Sequence, residues 1–212
     1  FIENKKCIFI VACEESVLQQ AIRDNNKLNG DSSVEYLDKI FQLSINIPKL
    51  YDNDLLRYAE HLMELHKDHI PYAELKDEEL ENTRIALVHE GIKTPRQVKI
   101  QLNDFTAAYQ IAKLRNVKPI LSNPSLLAKI IAIRNEWPKF YRKLEAYSYY
   151  LEDISNEDLQ KEIIRILGIN NVDLNQEDKR KKDDFEDKYG LAGEKLKSFI
   201  TYLQRTRHIK LN

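Results

Sequence analysis

The residues best placed to do chemistry are Thr94-Pro95-Arg96-Gln97. Thr94 and Gln97 have the spacing at which a hydroxyl and a side-chain amide satisfy each other's backbone N–H groups at a helix start. Pro95 falls at the first helical position, where its missing N–H costs nothing. The spacing therefore predicts a helix that begins here. Arg96 sits in the first turn, with Lys93 before it and Lys99 after it. Cations there oppose the helix dipole by roughly 0.3–1 kcal/mol each, so a sequence chosen for stability alone would place Asp or Glu in this turn. An anion docked on the free N–H groups reverses that penalty, because dipole, amides and guanidinium then all point at it. The competing reading is that the long side chains extend into water. Both readings stand on these residues alone.

A second grouping is the apolar run Cys7 to Cys13, which ends directly on Glu14 and Glu15. Continuous, β-branched and aromatic, it predicts a strand buried on both faces, as in a parallel sheet. Along a strand the two cysteines stand roughly 20 Å apart, beyond the ~7 Å that a disulfide spans. The expectation is reduced, buried thiols in a cytosolic setting. The remaining groupings are weaker. His61, His66 and His69 fall on or just past one helix, but a zinc site needs further ligands and neither cysteine lies nearby. Lys179 to Lys182 is embedded in acids and reads as a self-neutralising, solvated segment. Arg205, Arg207, His208 and Lys210 form a more one-sided basic cluster, suited to nucleic acid or an acidic partner, or simply to a helix end. Trp137, Phe140, Tyr141, Tyr147, Tyr149 and Tyr150 are expected in core or inter-helix packing. No Ser-His-Asp or Cys-His arrangement with catalytic spacing occurs.

The elements that must position these residues are mostly helical. After the first strand, Val17, Leu18, Ala21 and Ile22 mark one helix face. Ser32 and Glu35 make a capping box for a helix through Tyr36, Leu37 and Ile40. Residues 43–47 alternate and stop at Pro48, as a short edge strand does. Beyond Pro48 the pattern predicts helices over about 52–68, 77–90, 94–115, 124–137, 139–152 and 157–167, with a last one around Leu196, Phe199, Ile200 and Leu203. Residues 173–190, with seven acids, five bases and almost no apolar residues, are expected to be a solvated loop or hinge.

Composition supports this reading. The 212 residues carry 33 Lys and Arg against 34 Asp and Glu, and 42% are hydrophobic, a balance that excludes a disordered charged tail and supports a packed core. Gly and Pro together number 11, under half the roughly 12% share of a typical soluble chain, which disfavours turn-rich sandwiches and barrels. The longest apolar run has seven residues, so no membrane span is expected. No signal peptide is readable before the first strand, and the chain starts at Phe1, which fits a segment from inside a longer polypeptide.

Four segments together resemble the C-terminal half of a KAP-type P-loop NTPase, a branch near the STAND and AAA+ ATPases. Ile8 to Leu18 is similar to the strand and helix that follow the family's Walker B segment. Tyr36 to Pro48 resembles its "YLeKI-x-q-l-x-x-x-x-P" stretch, and Thr94 to Lys99, leading to Asn103, its "PR-x-x-k-x-x-x-N" lid element. Ser198 to Ile209 resembles its terminal "FL-x-x-T-x-x-I" segment. The resemblance implies a mainly α chain: the end of a P-loop α/β core with one buried and one edge strand (1–50), a helical lid (51–116) and a C-terminal helical region (117–212). It implies that Thr94, Pro95 and Arg96 bind nucleotide, with Arg96 acting as a sensor arginine on the β/γ-phosphates, and that Glu14 lies near the γ-phosphate as a catalytic carboxylate. Related proteins often have Asp there. The alternative is that the apolar run with Glu14 and Glu15 is itself a Walker B segment. ATP and Mg2+ are the implied cofactors, held mainly by residues outside these 212. No Gly-x-x-x-x-Gly-Lys-Ser/Thr loop occurs in the sequence, and phosphoryl transfer relies on that loop, its lysine and the metal. The chain alone is therefore expected not to hydrolyse ATP. The expected role is the sensor and lid of a cytoplasmic ATP-driven switch, with self-association or a protein partner, in bacterial anti-phage defence. The rival is a non-enzymatic helical interaction module.

Overall fold

A computed structural model describes residues 10–26, 37–41, 43–48, 50–169 and 174–209. The chain divides into two compact units, residues 1–49 and 50–212.

In the first unit, helix α1 (Glu15–Asn26) follows directly on Glu14, whose carbonyl accepts the Leu18 N–H at 3.0 Å. Ile22 is buried and Leu18 half-buried, as the apolar face requires, while Val17 stays exposed. A further helical turn covers 37–40, with Leu37 buried. The two expected strands are absent among the described residues. Residues 10–14 and 43–48 have no regular structure, and Ile10 and Ile47 are 93% and 92% exposed. A strand is held by ladder bonds to a neighbour, and no other described segment offers one. β-Branching specifies what a strand tolerates and supplies no partner. Cys13 is accordingly exposed instead of buried. Cys7, the Ser32/Glu35 box and Tyr36 lie outside the described residues.

The second unit is helical throughout its described length. It begins with α2 (Asp52–Leu65), α3 (Asp77–Leu87), α4 (Pro95–Leu114) and the single turn α5 (Lys118–Leu121). Then come α6 (Pro124–Glu136), α7 (Pro138–Ala146) and α8 (Tyr150–Ile154). It ends with α9 (Glu157–Gly168), α10 (Gln176–Tyr189) and α11 (Gly193–Arg205). The mainly α reading holds. The expected helix over 139–152 is broken between Ala146 and Tyr150 into α7 and α8, and Tyr147 and Tyr149 at the break are about half exposed, their rings set against Tyr150.

Helix α6 explains the architecture. Ser125, Ala128, Lys129, Ile131, Ala132 and Ile133 are buried on nearly every side of it, the mark of a helix enclosed by others. One flank joins a core with Leu55, Leu87, Val98, Leu102 and Phe105 from α2, α3 and α4. The other joins Trp137, Phe140, Ile163, Phe199 and Tyr202 from the later helices. A buried polar seam ties α11 back to this wall. The Lys129 ammonium donates to the carbonyls of Thr206 (3.0 Å) and Ile209 (3.1 Å), closing the end of α11, and burial draws its pKa down to about 8. The Tyr202 hydroxyl donates to the Ala86 carbonyl at 3.0 Å, and its burial raises the phenol pKa.

The expected loop over 173–190 is instead helix α10. The side chain of Asn175 accepts the Asp178 N–H at 2.7 Å, and Gly190, at φ 67°, ends the helix in the left-handed region. Lys181 pairs with Glu177 four residues back and with Glu162 on α9, while Arg165 of α9 grips Asp178 at 2.7 Å. Of its apolar residues, Phe185 turns inward partly and Tyr189 completely, and Asp178 is buried beneath Arg165. Counting apolar residues missed this helix because Lys, Arg and Glu are themselves good helix formers and cross-helix ion pairs replace a broad apolar face.

Candidate functional site at the entrance to helix α4

The local rules for Thr94-Pro95-Arg96-Gln97 are met in full. Thr94 is extended (φ −138°, ψ 150°) and Pro95 occupies the first helical position. The Thr94 hydroxyl oxygen accepts the Gln97 N–H at 3.3 Å. In return, the Gln97 side-chain oxygen accepts the N–H groups of Thr94 (3.0 Å) and Lys93 (2.8 Å). The Val98 N–H already bonds the Thr94 carbonyl. This exchange alters the expectation of several free amides, because in the first turn the Arg96 N–H alone has no backbone or side-chain acceptor among the described residues. What the entrance offers an anion is that amide, the helix dipole and the exposed Arg96 guanidinium, which makes no ion pair among the described residues. Thr94→Ala is expected to lower stability by about 1 kcal/mol, read as a small drop in the urea midpoint. An unchanged midpoint would mean that Gln97 alone defines the helix start.

Neighbouring stripes of α4 carry opposite chemistry. Arg96 and Lys99 project on an exposed stripe. Gln97, Gln101 and Asp104 face a shallow cleft of about 240 Å3, closed on the other side by Asn135 and Glu136. Asn135 donates to Gln101 (3.0 Å) and Asp104 (2.9 Å), and Arg134 pairs with Asp104 at 3.0 Å. The Glu136 carboxyl is held above its ordinary pKa by burial, against the pull of Lys195 and Lys93. Carboxylates make this cleft unsuited to phosphate, so an anion would approach from the Arg96 side.

The approach to the entrance is anchored from behind. Val88 and Ile92 are buried, and His89 lies among aromatic rings, 5.2 Å from Trp137 and 5.5 Å from Tyr202. Its Nδ1 accepts the Gly91 N–H at 3.1 Å, which places the imidazole proton on the buried Nε2. Burial, and then the charges of Arg205 and Lys93, depress the His89 pKa to about 4. Gly91 is the residue this turn requires, since a Cβ there would stand 2.8 Å from both the His89 ring and the Glu136 carboxyl carbon. His89, Glu136 and Trp137 thus position the entrance, and none was legible as doing so. His89 is separated from Trp137 by 48 residues of sequence, and nothing local signals their contact.

Thr94, Pro95 and Arg96 are therefore brought together on one rigid turn. Glu14 belongs to the first unit, where it caps α1 and its carboxylate accepts the Ser16 hydroxyl at 2.8 Å. Of the weaker groupings, Arg207 pairs with Glu157 at 3.6 Å and His208 contacts Asn82 at 3.0 Å, while Lys210 lies outside the described residues. His66 and His69 meet edge to face, and among the described residues no three His, Cys, Asp or Glu side chains converge as a metal site. Nor is any helix among them long and apolar enough to cross a membrane.

The chain belongs to the KAP family of P-loop NTPases: the sequence model of the KAP family P-loop domain matches residues 1–112, just over half of its length. The matched span contains Glu14 and the α4 entrance. Neither a curated protein nor a solved structure matches the chain.

Proposed function

We propose that the chain is the sensor and lid part of an ATP-driven conformational switch, with Arg96 as the residue that reads the triphosphate. The observation that carries this is an exposed guanidinium, without an ion pair among the described residues, at a rigidly anchored helix entrance in a chain of the P-loop NTPase family. In this reading residues 1–50 complete a P-loop α/β core, and the apolar segments at 7–13 and 43–47 become strands on joining its sheet. Residues 51–116 form the lid and 117–212 a helical extension. Thr94 and Pro95 fix the backbone, and Arg96 meets the β/γ-phosphate oxygens. Glu14, or the Glu14-Glu15 pair, supplies the carboxylate near the γ-phosphate. ATP fits the α4 entrance as an anion. Mg2+, which takes one or two protein ligands beside the phosphates, would be held mainly by residues outside these 212. Phosphate contact with Arg96 draws the lid toward the nucleotide and shifts the population of an assembly-competent state. The family resemblance extends the reading to a cytoplasmic switch in bacterial antiviral defence.

The test is Arg96→Ala in the protein that carries the P-loop segment as well. Loss of one charge-assisted contact is expected to weaken ATP binding about tenfold or more, with the melting temperature unchanged. A folded variant with wild-type nucleotide affinity would sink the sensor role.

A further inference from the structure

The outer face of α4 carries more than the nucleotide reading uses. Ile111 and Leu114 are 51% and 88% exposed, while Val98, Leu102, Phe105 and Tyr109 on the opposite face fill the core. Between residues 95 and 118 the sequence has one acid, Asp104, and it is turned into the cleft with Asn135. Arg115 and Lys118, next to Leu114, are exposed and make no ion pair among the described residues. The result is an apolar step bounded by unmatched cations.

The complementary surface lies on α2 and α3. A groove of about 200 Å3 between them has an apolar floor of Met63, Tyr72 and Leu80. Its rim holds Glu60, Glu64, Asp77 and Glu81 against two cations, Lys67 and Arg84. Arg84 pairs with Glu60 and Glu81, and Lys67 with Glu64. Asp77 has no ion-pair partner among the described residues, so the rim keeps a surplus of negative charge. Because α4 packs its inner face on α2 and α6, its outer face cannot reach this groove within one molecule.

We propose that the outer end of α4 docks into the α2–α3 groove of a second copy of this chain, with Leu114 and Ile111 on the apolar floor and Arg115 and Lys118 against the acidic rim. A nucleic-acid backbone would match the cations and leave Leu114 and Ile111 without an apolar counterpart. The groove matches both. Each copy offers one face and one groove, so the contact closes either reciprocally in a two-fold dimer or head-to-tail in rings or open chains of subunits. The contact is small, so association is expected only at about 0.1–1 mM unless other surfaces add to it. It falls with added salt because the charges are exposed.

Sedimentation velocity of the 212-residue chain tests this without ATP or Arg96, so its outcome is separable from that of the sensor reading. The wild-type chain is expected to associate as concentration rises. Arg115→Glu with Lys118→Glu, or Glu60→Lys with Glu64→Lys, should each weaken association at least tenfold. All four sites are exposed, and unchanged thermal melts verify the fold. An equimolar mixture of the two charge-reversed proteins should assemble again, because each face then meets a groove of opposite sign. Three results would overturn the proposal: a wild-type chain that stays monomeric, charge-reversed proteins that assemble separately, or a mixture that does not recover. Binding of a labelled single-stranded oligonucleotide that is lost only in the α4 variant would reassign the face to nucleic acid.

Discussion

Replacing Trp137 with alanine is expected to destabilise the second unit by about 3–5 kcal/mol and to lower its melting temperature by on the order of 10 °C. The indole is 2% exposed, and its ring lies 5.0 Å from Phe199, 5.0 Å from Tyr202 and 5.2 Å from His89. It follows α6 directly, where the wall shared by the two cores ends. Truncation leaves a void that rings on fixed helices cannot close, which places the cost at the upper end for large-to-small changes. The effect reaches the α4 entrance through His89, because removing its cover admits water to the buried Nε2 and loosens the turn at Gly91. The Thr94 capping exchange, which is local, should survive. Calorimetry of Trp137→Ala beside Trp137→Phe gives the check. A shift of only a degree or two for the alanine protein would show that this core is not organised around the indole.

Acidification from pH 6.5 to about 4 is expected to remove about 3 kcal/mol of stability through His89 alone. The depressed His89 pKa sets the sign. Above pH 6.5 the imidazole is neutral in both states and contributes no pH dependence. As pH falls, the unfolded chain takes up a proton near 6.5, whereas the folded chain resists until about 4. The unfolded state therefore gains stability across that window. Protonation of the folded form also places an N–H donor against the Gly91 N–H, which breaks the turn at its anchor. Glu136 opposes this, since its raised pKa makes the folded state take up a proton first. The measurement is thus a difference: urea unfolding of wild type and His89→Asn across pH 4–7. The asparagine protein should lack the His89 component, and parallel profiles would remove His89 as its origin.

Local chemistry in the sequence was enough to define the start of α4. Thr94, Pro95 and Gln97 act within one turn, so their spacing contains the whole interaction, and the structure adds only that the exchange leaves one amide for an anion. The same holds for Asn123-Pro124, where the asparagine side chain accepts the Leu126 N–H at 3.2 Å. The two strands were not decided locally. Their side chains permit β structure, but a strand exists only with a neighbour to complete its hydrogen bonds. Helix α10 fails in the other direction, because its partners are charges on α9 that no periodicity count registers.

The sequence by itself determined a mainly helical chain, the residues that begin α4 and the cationic character of its first turn, because helix caps and periodicity act over three or four residues; its motifs, not its periodicity, carried the P-loop NTPase family. Only the tertiary structure decided that His89 and Trp137 brace that turn, that Lys129 closes the end of α11, and that one face of α4 stays uncovered. Those facts depend on side chains dozens of residues apart meeting in space, and such meetings are set by how helices pack around α6, which no local pattern encodes.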